Sequence, residues 1–210
     1  MYCFLQGETP ILIDTGLGTG DLLPVVKDLF GKEPTVLLTH SHGDHIGGIH
    51  GFSDVYAGEE DLDAIDPEHT LRSSGILRSV SSGHLSKPGC DRLEIISLPG
   101  HTPGARGYLD HANRRFFGGD IVSFSPVYMC LPGADIKAWR QSLLEIAGRA
   151  CQYDELYVGH EEEPIPRELI SEYIVLANIF LNGHAESVED VFFDRYPCRR
   201  YFYGNASILV

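Results

Sequence analysis

Long apolar runs are missing from this chain of 210 residues. None approaches the ~20 residues a membrane-spanning helix needs, so no membrane partner is expected. Positive charge is also scarce: 16 Lys and Arg stand against 30 Asp and Glu, a formal net charge of −14. Binding a phosphate backbone requires a Lys/Arg stripe that the sequence lacks, and nucleic acid is set aside as a partner. A metal cluster can reverse the sign of charge locally, which keeps small anionic substrates open. The cysteines Cys3, Cys90, Cys130, Cys151 and Cys198 are odd in number, widely spaced and form no CxxC pair. That excludes a disulfide framework or a cysteine-rich zinc knuckle and makes a reduced, cytoplasmic setting the simpler expectation. The opening MYCFLQGETP has no basic segment followed by an apolar core, so it does not read as a secretion signal. Internal repeats and low-complexity tracts are lacking too.

What is present suits one well-filled core, with 10 Tyr and 10 Phe to fill it, and a single domain over 1–210 is expected. Tyr2–Leu5 and ILID (11–14) read as a hairpin whose second strand delivers Asp14 at its end. Residues 21–31 carry Leu22, Val25, Val26, Leu29 and Phe30 at helical spacing. TVLLT (35–39) and VYAG (55–58) read as buried strands, and 66–92 as a long irregular connection with one helical turn. LEIISL (93–98), ARGYLD (105–110) and RRFFGG (114–119) suggest an antiparallel sheet. The pattern predicts helices over 134–150 and from Pro166 to about Asn182, a strand at ELYVGH (155–160), and a hairpin about Gly204-Asn205. This order fits two sheets stacked face to face with helices outside, an α+β architecture.

The segment LLTHSHGDHIGG (37–48) places His40, His42, Asp44 and His45 directly after an apolar strand. In extended chain His40 and His42 share a direction by the two-residue period, and Gly43 lets the chain turn so that Asp44 and His45 face a neighbouring point. Crowding such groups at a strand end is costly unless something pairs with them. Later strands end in further donors: His101 in LPGHTPG, Asp120 in FFGGD and His160 in LYVGH. Five histidines and two carboxylates are the number and type of donors that a nitrogen/oxygen dinuclear centre uses. His69, His84 and His111 have no such company.

HxHxDH followed by a later His, an Asp and a final His resembles the signature of the metallo-β-lactamase fold superfamily, and the likeness extends from Tyr2 to Val210, including DTG at 14–16. The resemblance implies a four-layer αββα sandwich, here with a shortened N-terminal sheet. It implies that His40, His42 and His101 hold one metal, that Asp44, His45 and His160 hold a second, and that Asp120 bridges them. Asp14 would brace a ligand from behind. The cofactor would be two divalent ions, zinc by default with iron or manganese accepted by the same donors.

Two metals roughly 3.5–4 Å apart lower the pKa of a bridging water and polarise an electrophile. The resemblance therefore implies hydrolysis of an ester, thioester, lactone or phosphodiester in a small-molecule substrate, with Asp44 as the catalytic proton acceptor. Asp120 in the bridging place is similar to glyoxalase II-like and lactonase-like hydrolases. Only 39 residues separate Asp120 from His160, too few for the large domain that the RNA-processing branch inserts there. The alternative is a non-hydrolytic metal-binding protein of the same fold, a sensor or redox partner. Phe124, Tyr128 and Met129 are candidates for the substrate pocket. Family members usually carry one or two strands before the segment matching Tyr2–Leu5, so a homodimer covering that sheet edge is a further expectation.

Overall fold

Ile11, Leu12 and Ile13 are all buried, the continuous apolar run that a strand covered on both faces requires. They belong to the first of two compact units, formed by residues 1–97 and 104–112; the second comprises 98–103 and 113–210. The structure, a computed structural model, describes residues 1–87, 90–186, 189–193 and 196–210.

In the first unit β1 (Tyr2–Gln6), β2 (Thr9–Ile13), α1 (Leu22–Phe30), β3 (Thr35–Leu37), α2 (Gly43–Ile46), β4 (Val55–Gly58), α3 (Leu62–Ile65), α4 (Thr70–Ser73), β5 (Leu77–Val80), β6 (Gly83–His84), β7 (Leu93–Ser97) and β8 (Arg106–Asp110) follow one another. Strands β1 to β5 form a sheet in sequence order, antiparallel between β1 and β2 and parallel thereafter. Beneath it Leu12, Val36, Leu38, Ile49, Phe52, Val55 and Leu77 make one apolar cluster. β6 and β8 flank β7, both antiparallel to it.

Asp21 caps α1 by accepting from the Leu23 N–H, and Gly31, at φ 75°, closes it. Helix 22–30 thus lies where the periodicity predicts it, but its buried stripe is narrower. Val26 is buried, whereas Val25 and Leu29 are 53% and 69% exposed. Positions 22, 26 and 30 form one row, and 25 and 29 sit a step around the helix from it. In the connection expected over 66–92 the one helical turn is α4, but β5 and β6 lie there as well, while Pro88 and Gly89 within it lie outside the described residues. In β5 only the terminal Leu77 and Val80 are buried, a pattern that shows neither strict alternation nor a continuous apolar run.

The second unit contains β9 (Arg115–Phe117), β10 (Val127–Tyr128), α5 (Ile136–Gly148), β11 (Glu155–Tyr157), α6 (Glu168–Leu181), β12 (Glu189–Phe193), β13 (Tyr196–Tyr203) and β14 (Ala206–Leu209). β9 and β11 pair in parallel. β14 lies between β10, parallel to it, and β13, which turns back from β12. The turn at Gly204-Asn205 falls where the sequence puts it, with Gly204 at φ 59°. Asp135 caps α5 through the Lys137 and Ala138 N–H groups. Fully buried Trp139 donates its indole N–H to the Ile121 carbonyl at 2.8 Å and meets Tyr173 of α6 edge-on. Among the described residues no helix is long and apolar enough to cross a membrane.

Candidate metal centre

β3 carries buried Val36 and Leu37 into the segment that bears the first four donors. The exit of this strand is fixed by Tyr108, whose buried hydroxyl donates to the Leu38 carbonyl at 2.6 Å and is pushed above the ordinary phenol range by burial. Beside it Asp14 ends β2 in the left-handed region, at φ 58°, a conformation Asp tolerates better than most residues. Its Oδ1 accepts from the Thr39 N–H at 2.7 Å, and its Oδ2 accepts from the Thr39 hydroxyl at 2.7 Å. Oδ2 also lies 2.8 Å from His45 Nδ1.

These contacts settle proton positions. A carboxylate can only accept, so Nδ1 of His45 carries the proton and Nε2 the lone pair. The single hydroxyl proton of Thr39 goes to Asp14. Thr39 Oγ1 therefore accepts from His40 Nδ1 at 3.0 Å, which gives His40 too an Nε2 lone pair. Imidazoles that ligate metals are ordinarily oriented in this way, by a hydrogen bond from the other ring nitrogen. His40 Nε2 lies 3.1 Å from His42 Nδ1, and the His40 and His45 ring centroids are 4.0 Å apart. Asp44 Oδ2, 3.8 Å from His45 Nε2, completes the group on the short helix α2. The donors are all nitrogen and oxygen and converge within one turn of chain, which fits a divalent ion of the zinc, iron or manganese type.

The DTG loop locks this segment in place. The Thr15 N–H donates to the His45 carbonyl at 2.7 Å, the Gly47 N–H to the Gly16 carbonyl at 2.8 Å, and the Gly48 N–H to Thr15 Oγ1 at 3.1 Å. The approach is so close that a Cβ on Gly18 would stand 2.2 Å from the Gly47 carbonyl oxygen.

The second unit holds the other three donors. His101 is buried and follows Gly100, whose φ of 137° favours glycine and whose added Cβ would meet the Trp139 nitrogen at 2.2 Å. The Asp135 N–H donates to the Gly100 carbonyl at 2.8 Å, and Ser142 Oγ to the Pro99 carbonyl at 2.7 Å, so α5 clamps the turn. Asp120 follows β9, and His160 follows β11 at φ 62°. The two strand ends are laced by Gly118 N–H to Tyr157 O and by Gly159 N–H to Gly119 O, both 2.8 Å. His160 Nε2 stands 3.1 Å from Asp120 Oδ2, and His101 Nε2 stands 3.8 Å from the same oxygen.

The structure thus brings together His40, His42, Asp44 and His45 over Asp14 in one unit, and His101, Asp120 and His160 in the other. Sequence reasoning passed over Thr39 and Glu161. Glu161 accepts from Ser123 Oγ at 2.9 Å and the Phe124 N–H at 2.8 Å, bracing the segment after Asp120. A threonine in a strand and one glutamate in the run EEE (161–163) carry no spacing signal. Of the pocket candidates, Phe124 is 52% exposed, Tyr128 is half-buried and stacked on Phe193 at 4.2 Å, and Met129 is buried.

Paired strands, flanking helices and His/Asp clusters at strand ends define a mixed α/β metalloprotein architecture. The match to the metallo-beta-lactamase superfamily over residues 2–160 identifies it: the chain belongs to that superfamily. A hydroxyacylglutathione hydrolase of Photobacterium profundum is 30% identical over 145 residues, 68% of this chain and 54% of that protein. A probable metallo-hydrolase, YybB of Bacillus subtilis, is 25% identical over 128 residues, 55% of this chain and 58% of its own length. The chain thus spans a little over half the length of these two curated relatives. Among solved structures, TTHA1623 in a di-iron-bound form superposes with TM-score 0.65 at 26% identity, covering 82% of this chain and 91% of that one. A metallo-beta-lactamase from Erythrobacter litoralis superposes with TM-score 0.67 at 18% identity, covering 84% and 83% of the two chains. The fold is the mixed α/β sandwich of this superfamily.

Proposed function

We propose that this chain is a metal-dependent hydrolase that cleaves an ester, thioester, lactone or phosphodiester bond in a small metabolite. In this reading His40, His42 and His101 would hold one divalent ion, Asp44, His45 and His160 would hold a second, and Asp120 would serve both. Zinc is the first choice of metal, with iron or manganese suited to the same donors. The observation that carries the reading is the Asp14–Thr39 arrangement, which presents the Nε2 lone pairs of both His40 and His45. Paired metals, when bound, supply Lewis-acid polarisation and a water acidic enough to attack at neutral pH.

The chain's own groups do the rest. Asp14 holds the His45 ring by the Nδ1 contact, which would keep the Nε2 lone pair turned toward a bound ion. Asp44, 36% exposed at its side chain, takes the proton released as the attacking water adds. Glu161 and Tyr173 fix the backbone at Ser123–Ser125, the latter by donating to the Ser123 carbonyl at 2.8 Å. That presents exposed Phe124 as a fixed apolar contact for substrate. A thioester is the bond to try first, because relatives named as hydroxyacylglutathione hydrolases recur among the matches. A cytoplasmic location and a homodimer paired along the β1 edge belong to the same proposal.

Elemental analysis of protein purified without added metal tests it, together with Asp120→Ala and His160→Ala and an assay on thioesters, lactones and phosphodiesters. About two metal ions per chain, falling in both variants along with hydrolysis, is the expected result. Metal near zero, not restored by zinc, iron or manganese, overturns the reading.

A further inference from the structure

In the second unit α5 and α6 pack side by side, and a cavity of about 410 Å3 on them is lined by Lys137, Arg140, Asn178, Leu181 and Asn182. Four of these five side chains carry N–H donors, and none carries a negative charge. Lys137 and Arg140 lie three apart on α5, and Asn178 and Asn182 four apart on α6, so each pair shares a helix face.

Lys137 and Arg140 belong, with Lys32, Arg92 and Arg167, to the minority of described cations that form no ion pair. With 30 acidic against 16 basic residues, a cation has abundant carboxylates to meet. Arg78, Arg106, Arg114 and Arg149 each hold one. Among the described residues Lys137 and Arg140 hold none. The Arg140 Nε–H donates to the Asn178 side-chain oxygen. That bond fixes the guanidinium plane and occupies the amide's acceptor, leaving the terminal guanidinium N–H groups and the Asn178 NH2 as donors. The cavity lies at the C-terminal end of α6, whose dipole opposes an anion, and three of the last four carbonyls there are already hydrogen-bonded. The Asn178, Ile179 and Phe180 carbonyls accept from the Asn182, His184 and Gly183 N–H groups at 3.1, 3.0 and 3.0 Å.

We propose that this cavity binds the phosphate group of a small metabolite. A planar fork and a compact ammonium, flanked by amide donors, suit a dianion with three terminal oxygens better than a carboxylate with two. The volume falls within the roughly 300–1,000 Å3 of small-molecule sites. The site is independent of the histidine clusters and does not rest on the hydrolase reading.

Phenylglyoxal modification of arginines in the full chain, followed residue by residue with peptide mass mapping, reads this site alone. Inorganic phosphate, matched in ionic strength with sodium chloride, is the probe. Saturating phosphate is expected to slow modification of Arg140 at least about fivefold, the protection factor being 1 + [L]/Kd, and to leave exposed Arg199 unchanged. Lys137→Gln, an exposed substitution that keeps the fold, is expected to abolish the protection. Equal rates with phosphate and chloride, equal protection of Arg140 and Arg199, or protection that persists in Lys137→Gln would each overturn the proposal.

Discussion

Asp14 is buried, yet it decides which nitrogen of His45 is available and, through Thr39, which nitrogen of His40. Asp14→Ala removes both effects and is expected to weaken metal binding by about 10–100-fold in a competition titration against a chelator. Asp14→Asn keeps a residue that tolerates the left-handed backbone, so its loss of affinity isolates the carboxylate charge. Unchanged affinity in both variants would mean that the ring orientations are set elsewhere. Gly100 acts through the backbone. Its φ of 137° and the 2.2 Å approach of the Trp139 nitrogen leave no room for a methyl group. Gly100→Ala is expected to cost more than about 2 kcal/mol in urea unfolding, since strain and a clash with backbone combine. At this scale the donors are legible in the sequence because HxHxDH has a fixed spacing after an apolar strand. Thr39 and Glu161 are not legible, because their roles come from residues 25 and 38 positions away in the chain.

Between elements, Arg114 at the start of β9 grips Asp154 just before β11 with two hydrogen bonds of 2.6 and 2.9 Å. The Arg114 guanidinium holds the Asp154 carboxyl below its usual value. A depressed carboxylate stabilises the fold above its unfolded pKa of about 3.9, and that contribution is lost as pH falls through the lower folded value. Melting temperatures of the parent and Arg114→Ala should therefore differ at neutral pH and converge in strong acid. A gap that persists at the acid end would assign the remainder to packing of the arginine stem and to the 2.9 Å hydrogen bond from Arg114 to the Cys151 carbonyl. The helices α5 and α6 and the hairpin β13–β14 are plain in the sequence because their apolar periods are complete. β5 is hidden by its two exposed central residues. β12 escapes the sequence reading because only Val191 and Phe193 of its five residues are even partly covered.

For the whole molecule, a net charge of −14 makes bound cations stabilising wherever carboxylates and imidazoles converge. Ions that bind the folded chain alone raise its melting temperature by mass action. Treatment with a chelator should lower it by several degrees, and added zinc should restore it. An unchanged transition would show that the donor clusters hold no ion in the folded protein. The superfamily was legible from the ligand motif, whereas the division into two units was not. Its borders at 97–98 and 103–104 enclose LPGHTP, whose Gly and Pro read as the tight turn that aims His101 rather than as a linker. The border at 112–113 falls in an ordinary short turn after β8. The hydrogen-bonded lock between the DTG loop and the histidine segment has one more consequence, in biosynthesis. Everything it joins lies between Asp14 and Gly48. A ribosome that has translated Gly48 has supplied Asp14, Thr39 and the four donors His40, His42, Asp44 and His45, with His101, Asp120 and His160 still to come. The growing chain thus has the means to shelter those imidazoles long before His160 is translated.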